Sequence, residues 1–450
     1  MELNRVLTKE EQEFSNGKTG QLFLKFAIPG VMGLLFAGIQ TIIDGIIVGN
    51  FVNANALAGI NIVLPIYTLI TALAIVTGIG CQTLVSMGLG CGDHKRANDA
   101  LTTAFLSLLM ISVSMSVIFL CFTDSIAELL GANEILRPYS VAYLQALSSF
   151  FPLLTLMFMG DYTLKAIGRP YLAMIVLGGT VIINVILDLI FIIGLDMGTV
   201  GAGLATGLSF SFGAAIILPV MLNKNSLACV RKGTFNITLL GRMMYNGSSE
   251  GLSELSAGIT IYLFNLVMVG YWGEAGVAAY TSITYLLYIG IIIFVGMCDG
   301  IIPIISFNHG AGNRDRVIKV FQTAIKVTVI TGVILFSIVF FGGESIIRLF
   351  FREDAAEAIT IASTGAQFCA FAFLANGINI LFSSFFTSLG DAKTSIIISL
   401  MRGLILICAG IMLYPVLFGM TGIWLTIPAA ELITFIIGFM LIKRRLATKS

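Results

Sequence analysis

Asn184 and Asp188 place an amide and a carboxylate one helical turn apart, on a shared helix face, inside the apolar run from Tyr171 to Leu195. An ionisable side chain that deep in hydrocarbon costs roughly 2.5–3.5 kcal/mol on insertion scales, so it persists where it has a partner or a task. Depth supplies candidate partners. Asp44 lies about six residues before the outer end of the first apolar stretch, Asp188 about seven before the end of the fifth, and Thr206 about six after the start of the sixth. At a rise of 1.5 Å per residue, each is roughly 9–10 Å below the outer surface. Gln40 and Asn184 lie a turn deeper. Two carboxylates, an amide oxygen and a hydroxyl are hard oxygen donors, suited to Na⁺ or to a proton shared between Asp44 and Asp188. The working hypothesis is competition: an organic cation bound nearby expels the small ion, and the small ion weakens the organic cation's hold. The plainer reading is that Asn184 and Asp188 merely hydrogen-bond between helices.

The second half carries its own acids. Asn265 stands where an internal repeat would put Asp44, so the cage is not duplicated. Instead Glu250 and Glu254 lie one turn apart, Asp299 follows on the next span, and Glu431 sits near mid-depth of the last. These four, with Gln40, are read as candidates for a substrate or second ion site, the acids serving as anionic anchors for cationic substrates; for Glu250 the alternative is inner-leaflet water beside Arg242. Pro29 and Pro65 are candidate bending points, since each removes a helical hydrogen bond. Gly203, Gly207 and Ser211 form a seam of small residues suited to packing. His94 and His309 fall in or beside inner loops with no third ligand and read as solvated, and no metal is expected beyond Na⁺.

The elements that must position these residues follow from composition. With 57% hydrophobic and 11% charged residues over 450 positions, the chain is a polytopic membrane protein, because soluble domains carry about 25% charge. Long unbroken apolar runs and 48 glycines favour packed helices over a barrel, whose strands would alternate. Twelve spans result, near 22–49, 57–86, 97–121, 138–165, 171–195, 200–222, 240–270, 277–306, 317–341, 358–388, 395–418 and 421–442. With both termini cytoplasmic, 22 Lys and Arg, from Arg5 to Lys449, fall inside; Arg137, Arg348 and Arg352 fall outside, and 22 plus 3 recovers all 25. The second half repeats the first at an offset of about 220, with Gly90-Cys-Gly92 matching Gly310-Ala-Gly312 and Gly168 matching Gly390. An even number of spans per half relates the halves by an axis along the membrane normal. The expected organisation is residues 1–222 as an N-lobe of six helices, 223–239 as a cytoplasmic linker, and 240–450 as a C-lobe of six.

Four motifs in order carry a family resemblance: Gln40-Thr-Ile-Ile-Asp44-Gly-Ile-Ile-Val-Gly49, Ala166-Ile-Gly168-Arg-Pro170, Gly201-Ala-Gly-Leu-Ala-Thr206, and Pro303 to Asn313. The chain resembles the multidrug and toxic compound extrusion (MATE) family, in the bacterial branch of the DinF and MepA types. The resemblance implies an all-α, V-shaped pair of pseudo-symmetric six-helix lobes in the bacterial plasma membrane. It implies export of amphiphilic, mainly cationic compounds in exchange for H⁺ or Na⁺. By it, Asp44, Asn184, Asp188 and Thr206 match the cation or proton site of the N-lobe, and Pro29 matches a proline at which the first helix bends in gating.

Other classes fit poorly. Cationic residues are spread through short loops, not gathered into a nucleic-acid patch. No HExxH, clustered-aspartate or paired-aspartate motif supports an intramembrane enzyme, and no cofactor is called for. A lipid-linked oligosaccharide flippase of the same superfamily is the alternative. It would be expected to show a cationic cavity, whereas the outer-half and mid-depth charges here read as acidic, with Lys326 and Arg402 towards the inner mouths. Partners are small amphiphiles and the bilayer, and the protein is expected to be a monomer.

Overall fold

The computed structural model describes residues 8–351 and 355–447; Arg5, Arg352 and Lys449, three of the cations counted above, lie outside them. All regular structure among the described residues is helical. Among the described residues nine helices are long and apolar enough to cross a membrane, and two sharply bent pairs raise this to 11. Many large apolar side chains face outward, Ile42 at 58% and Ile182 at 63% exposure among them. Lipid solvates such a surface and water does not. The chain divides into two compact units, Met1–Gly247 with Ser306–Asn313, and Ser248–Ile305 with Arg314–Ser450.

In the first unit a short helix α1 (Lys9–Asn16) is started by a capping box. The Thr8 hydroxyl accepts from the Glu11 N–H, and the Glu11 carboxylate accepts from the Thr8 N–H. Glu11 is buried and lies 3.8 Å from His94 Nε2, so His94 faces a carboxylate and is not simply solvated. Then come α2 (Thr19–Phe51), α3 (Ala54–Gly90), α4 (His94–Cys121), α5 (Thr123–Leu129), α6 (Arg137–Ser148), α7 (Phe151–Ala166), α8 (Pro170–Asp188) and α9 (Gly198–Leu222). Helix α2 lies along α8, α3 packs on α7 and α4, and α9 packs on α6, α7 and α8. The expected span 138–165 is broken between α6 and α7 by 60°. Pro152, in the first turn of α7, has no N–H to give the Ser148 carbonyl, and the Ser116 hydroxyl donates to that carbonyl instead at 2.6 Å. The connection after α9 is strapped to α4: the Cys229 N–H donates to Asn98, the Thr102 hydroxyl to the Val230 carbonyl, and the Thr234 N–H to Asp99.

Helix α10 (Ile237–Gly310) contributes its middle to the second unit and its ends to the first. Its helical geometry fails at Gly273, where φ is 57° and ψ −140°, a conformation open to glycine. After it come α11 (Arg314–Arg348), α12 (Ala356–Ala370), α13 (Phe373–Ser388), α14 (Ala392–Leu400), α15 (Leu406–Phe418) and α16 (Met420–Ala447). Helices α12 and α13, expected as one span, bend by 52°. The repeat seen in sequence has a local cause. Gly168 and Gly390 both sit at positive φ, 83° and 72°, just past a helix end. The next residues, Arg169 and Asp391, donate back to the carbonyls of Leu164 and Phe386. These are Schellman stops, which glycine adopts without strain.

Candidate cation site

Helices α2, α8 and α9 bring the outer-half polar residues of the first unit together. The Asp44 carboxyl lies within hydrogen-bonding range of both Asp188 and Gln40. Asp188 is 1% exposed and Asn184 fully buried, while Gln40 and Thr206 are each 7% exposed. Asp44 Oδ1, Asp188 Oδ1 and both polar atoms of the Asn184 amide find no hydrogen-bond partner among the described residues. No lysine or arginine among the described residues pairs with either carboxylate. The buried cation of this unit, Lys165, is engaged by Asp161 at 2.7 Å. Two acids in contact without a counter-charge, beside an amide with unmet donors and acceptors, leave a strong electrostatic demand for a proton or a cation.

The backbone reinforces the site. The α-helical ladder of α8 ends at Asp188 and gives way to a π-helical segment, Leu189–Gly194. Such segments loosen the backbone hydrogen-bond ladder and recur at functional sites. Thr206 spends its own donor on the Ala202 carbonyl at 3.0 Å, which fixes its rotamer and leaves its lone pairs available.

Tyr143, on α6, is the residue the sequence did not single out. Its hydroxyl is in hydrogen-bonding range of Thr206, and Asp44, Asp188 and Tyr67 are its electrostatic neighbours. It reaches them because α6 and α9 touch at Gly203, where a Cβ would lie 2.8 Å from the Tyr143 carbonyl oxygen. The seam of small residues is therefore a packing device that also sets the distance from Tyr143 to the acids. A clue existed in the sequence: a tyrosine within an apolar span must find a partner for its hydroxyl.

The acids of the second unit are arranged differently. Asn265 has a buried Oδ1 with no hydrogen-bond partner among the described residues. Glu250 has Asp299, Arg402 and Glu254 as electrostatic neighbours, and Arg402 also acts on Glu254. The counter-charge of this cluster is thus Arg402, not the Arg242 considered from sequence. Arg402 lines the same cavity as Glu431. Glu431 itself is clamped by two amides, accepting from Asn376 at 2.6 Å and from Asn379 at 2.7 Å. Pro29 is buried within α2, which runs on through it as one helical element.

With this geometry in hand, comparison with known proteins is decisive. The MatE family model matches residues 29–190 and 257–412. The chain belongs to the MatE family. Over 442 residues it is 27% identical to the Multidrug export protein MepA of Staphylococcus saprophyticus subsp. saprophyticus, covering 96% of each chain. Over 428 residues it is 26% identical to the Multidrug export protein MepA of Staphylococcus aureus, covering 94% of each. Its fold matches, with a TM-score of 0.91 and 22% identity, a structure of the outward-facing conformation of a multidrug resistance MATE family transporter of the MOP superfamily. That match covers 98% of this chain and 99% of the other. This MatE chain is a multi-pass membrane transporter, as its apolar helices require.

Proposed function

We propose that this MatE protein is a secondary antiporter of the bacterial inner membrane, exporting amphiphilic, mainly cationic compounds in exchange for H⁺ or Na⁺ by alternating access. One observation carries the reading: buried Asp188 and half-buried Asp44 lie beside an unsatisfied Asn184, with no lysine or arginine paired to either carboxylate among the described residues. Such a pair holds one positive charge at a time, so binding of the coupling ion and of an organic cation are mutually opposed. Gln40, Asn184, Thr206 and Tyr143 tune that site, and Pro29 is the point at which α2 bends as the lobe switches. The acids Glu250, Glu254 and Asp299 serve as anchors for substrate cations, held in check by Arg402. The relatives' description as multidrug export proteins supports the substrate class.

The same reading includes twelve spans with both termini cytoplasmic. Nine single helices and two bent pairs among the described residues, with a further crossing if α10 divides at Gly273, support that count. No cofactor takes part, and the protein works as a monomer. Flipping of a lipid-linked or other amphiphile is the second reading, and Arg402 in the cavity of the second unit favours it. Accumulation of a cationic dye in cells lacking their own pumps, with pH and sodium gradients collapsed separately, tests the choice. Export is expected to fail when one of the two gradients is lost, and dye levels indifferent to expression of the protein would rule the reading out.

A further inference from the structure

Glu431 and Arg402 face a common cavity in the second unit. It is half open, has a volume of about 190 Å³ and is walled by Leu287, Ile407 and Ile427 together with Tyr280 and Tyr288. One part of its lining is an acceptor surface. Glu431, 5% exposed, is a carboxylate fixed by Asn376 and Asn379. Asn376, 6% exposed, lines the cavity, and its Oδ1 has no hydrogen-bond partner among the described residues. Another part is a donor surface. Arg402 lies in the π-helical turn Met401–Ile405, and among the described residues it makes neither a hydrogen bond nor an ion pair, Glu250 and Glu254 being longer-range neighbours. Its guanidinium is a rigid fork of donors matched to an oxyanion. Unmet acceptors and unmet donors in one mostly apolar chamber each favour a ligand that supplies the complement.

We propose that this chamber binds an amphiphile carrying both an ammonium and an oxyanion on an aromatic or apolar body. The ammonium sits against Glu431 and the Asn376 Oδ1, the oxyanion against Arg402, and the body against the two tyrosines and the aliphatic wall. The site is separate from the Asp44–Asp188 pair and does not rest on ion exchange there. A free zwitterion and a phosphatidylethanolamine headgroup share this chemistry.

The test uses purified full-length protein in phosphatidylglycerol nanodiscs and radiolabelled tryptophan, with tryptamine and indole-3-propionate as the two half-ligands. Tryptophan is expected to bind about tenfold or more tighter than either half, since each lacks one charge-assisted contact. Arg402→Gln should abolish the preference for tryptophan over tryptamine without weakening tryptamine, and Glu431→Gln should abolish the preference for tryptophan over indole-3-propionate. If either variant fails to fold, Ile427→Trp, which fills the chamber, should remove tryptophan binding. Repeating the measurement in phosphatidylethanolamine assigns the occupant: a tenfold loss by competition points to the headgroup, unchanged binding to a free zwitterion. Equal binding of all three indoles, or a preference for tryptophan over tryptamine that survives Arg402→Gln, would overturn the proposal. No transport is read, so this result and the antiport reading can fail separately.

Discussion

The two units treat their deep acids in opposite ways. In the first, Asp44 and Asp188 act on each other with no lysine or arginine paired to either among the described residues; in the second, Glu250 and Glu254 share the field of Arg402, and Glu431 is capped by two amides. A bare acid pair in oil must take its positive charge from outside, whereas an acid cluster with a tethered guanidinium carries its own. In the proposed function, that contrast underlies exchange of a mobile ion in the first unit and recognition of a charged solute in the second.

Removing the exchange is expected to have the largest effect. Asp188→Asn should reduce gradient-driven efflux of a cationic dye to the level of cells without the protein, while Glu254→Gln should leave efflux measurable. Equal losses in both variants would erase the distinction between the units. Next, the first unit can be rebuilt on the plan of the second. Asn184→Arg supplies a tethered cation beside Asp188 and should abolish the dependence of dye binding on pH or sodium, measured on purified protein.

The converse change should be smaller. Arg402→Gln uncovers Glu250 and Glu254 and should strengthen organic-cation binding by about tenfold, the size of one charge-assisted contact; weaker binding would mean that Arg402 organises the cavity instead of opposing cations. Smallest is the removal of one hydroxyl. Tyr143→Phe should weaken coupling-ion binding by severalfold, in keeping with about 0.5–1.5 kcal/mol for a single hydrogen bond, and isothermal titration with the coupling ion would register it.

Much of this was legible in the sequence because the bilayer restricts what a chain can do. Runs of about twenty apolar residues mark helices, and helix rise turns residue number into depth. Asp44, Asp188 and Thr206 could therefore be set at one level from their distances to the span ends. Gly168 and Gly390 could be paired because a helix stop requires positive φ at one position. What stayed hidden depends on rotation and on contacts between distant segments. Tyr143 is one aromatic among many in apolar helices, and only the α6–α9 approach at Gly203 aims it at the acids. That Arg402 shares a cavity with Glu431 was not legible either, because a long cationic side chain near a span end ordinarily reaches for water and the π-helical turn holding it gives no signal in the sequence. The Asn376–Asn379 clamp on Glu431 joins α13 to α16, a contact that spacing along the chain does not encode.

The most direct test of mutual exclusion at Asp44 and Asp188 is the affinity of purified protein for tetraphenylphosphonium, titrated separately with protons and with sodium in the absence of any gradient. One of the two ions is expected to weaken binding by about tenfold or more in the native protein, within the range of allosteric coupling, and to have no effect in Asp188→Asn. An affinity indifferent to both ions in the native protein, or an ion effect that persists in the variant, would contradict the account.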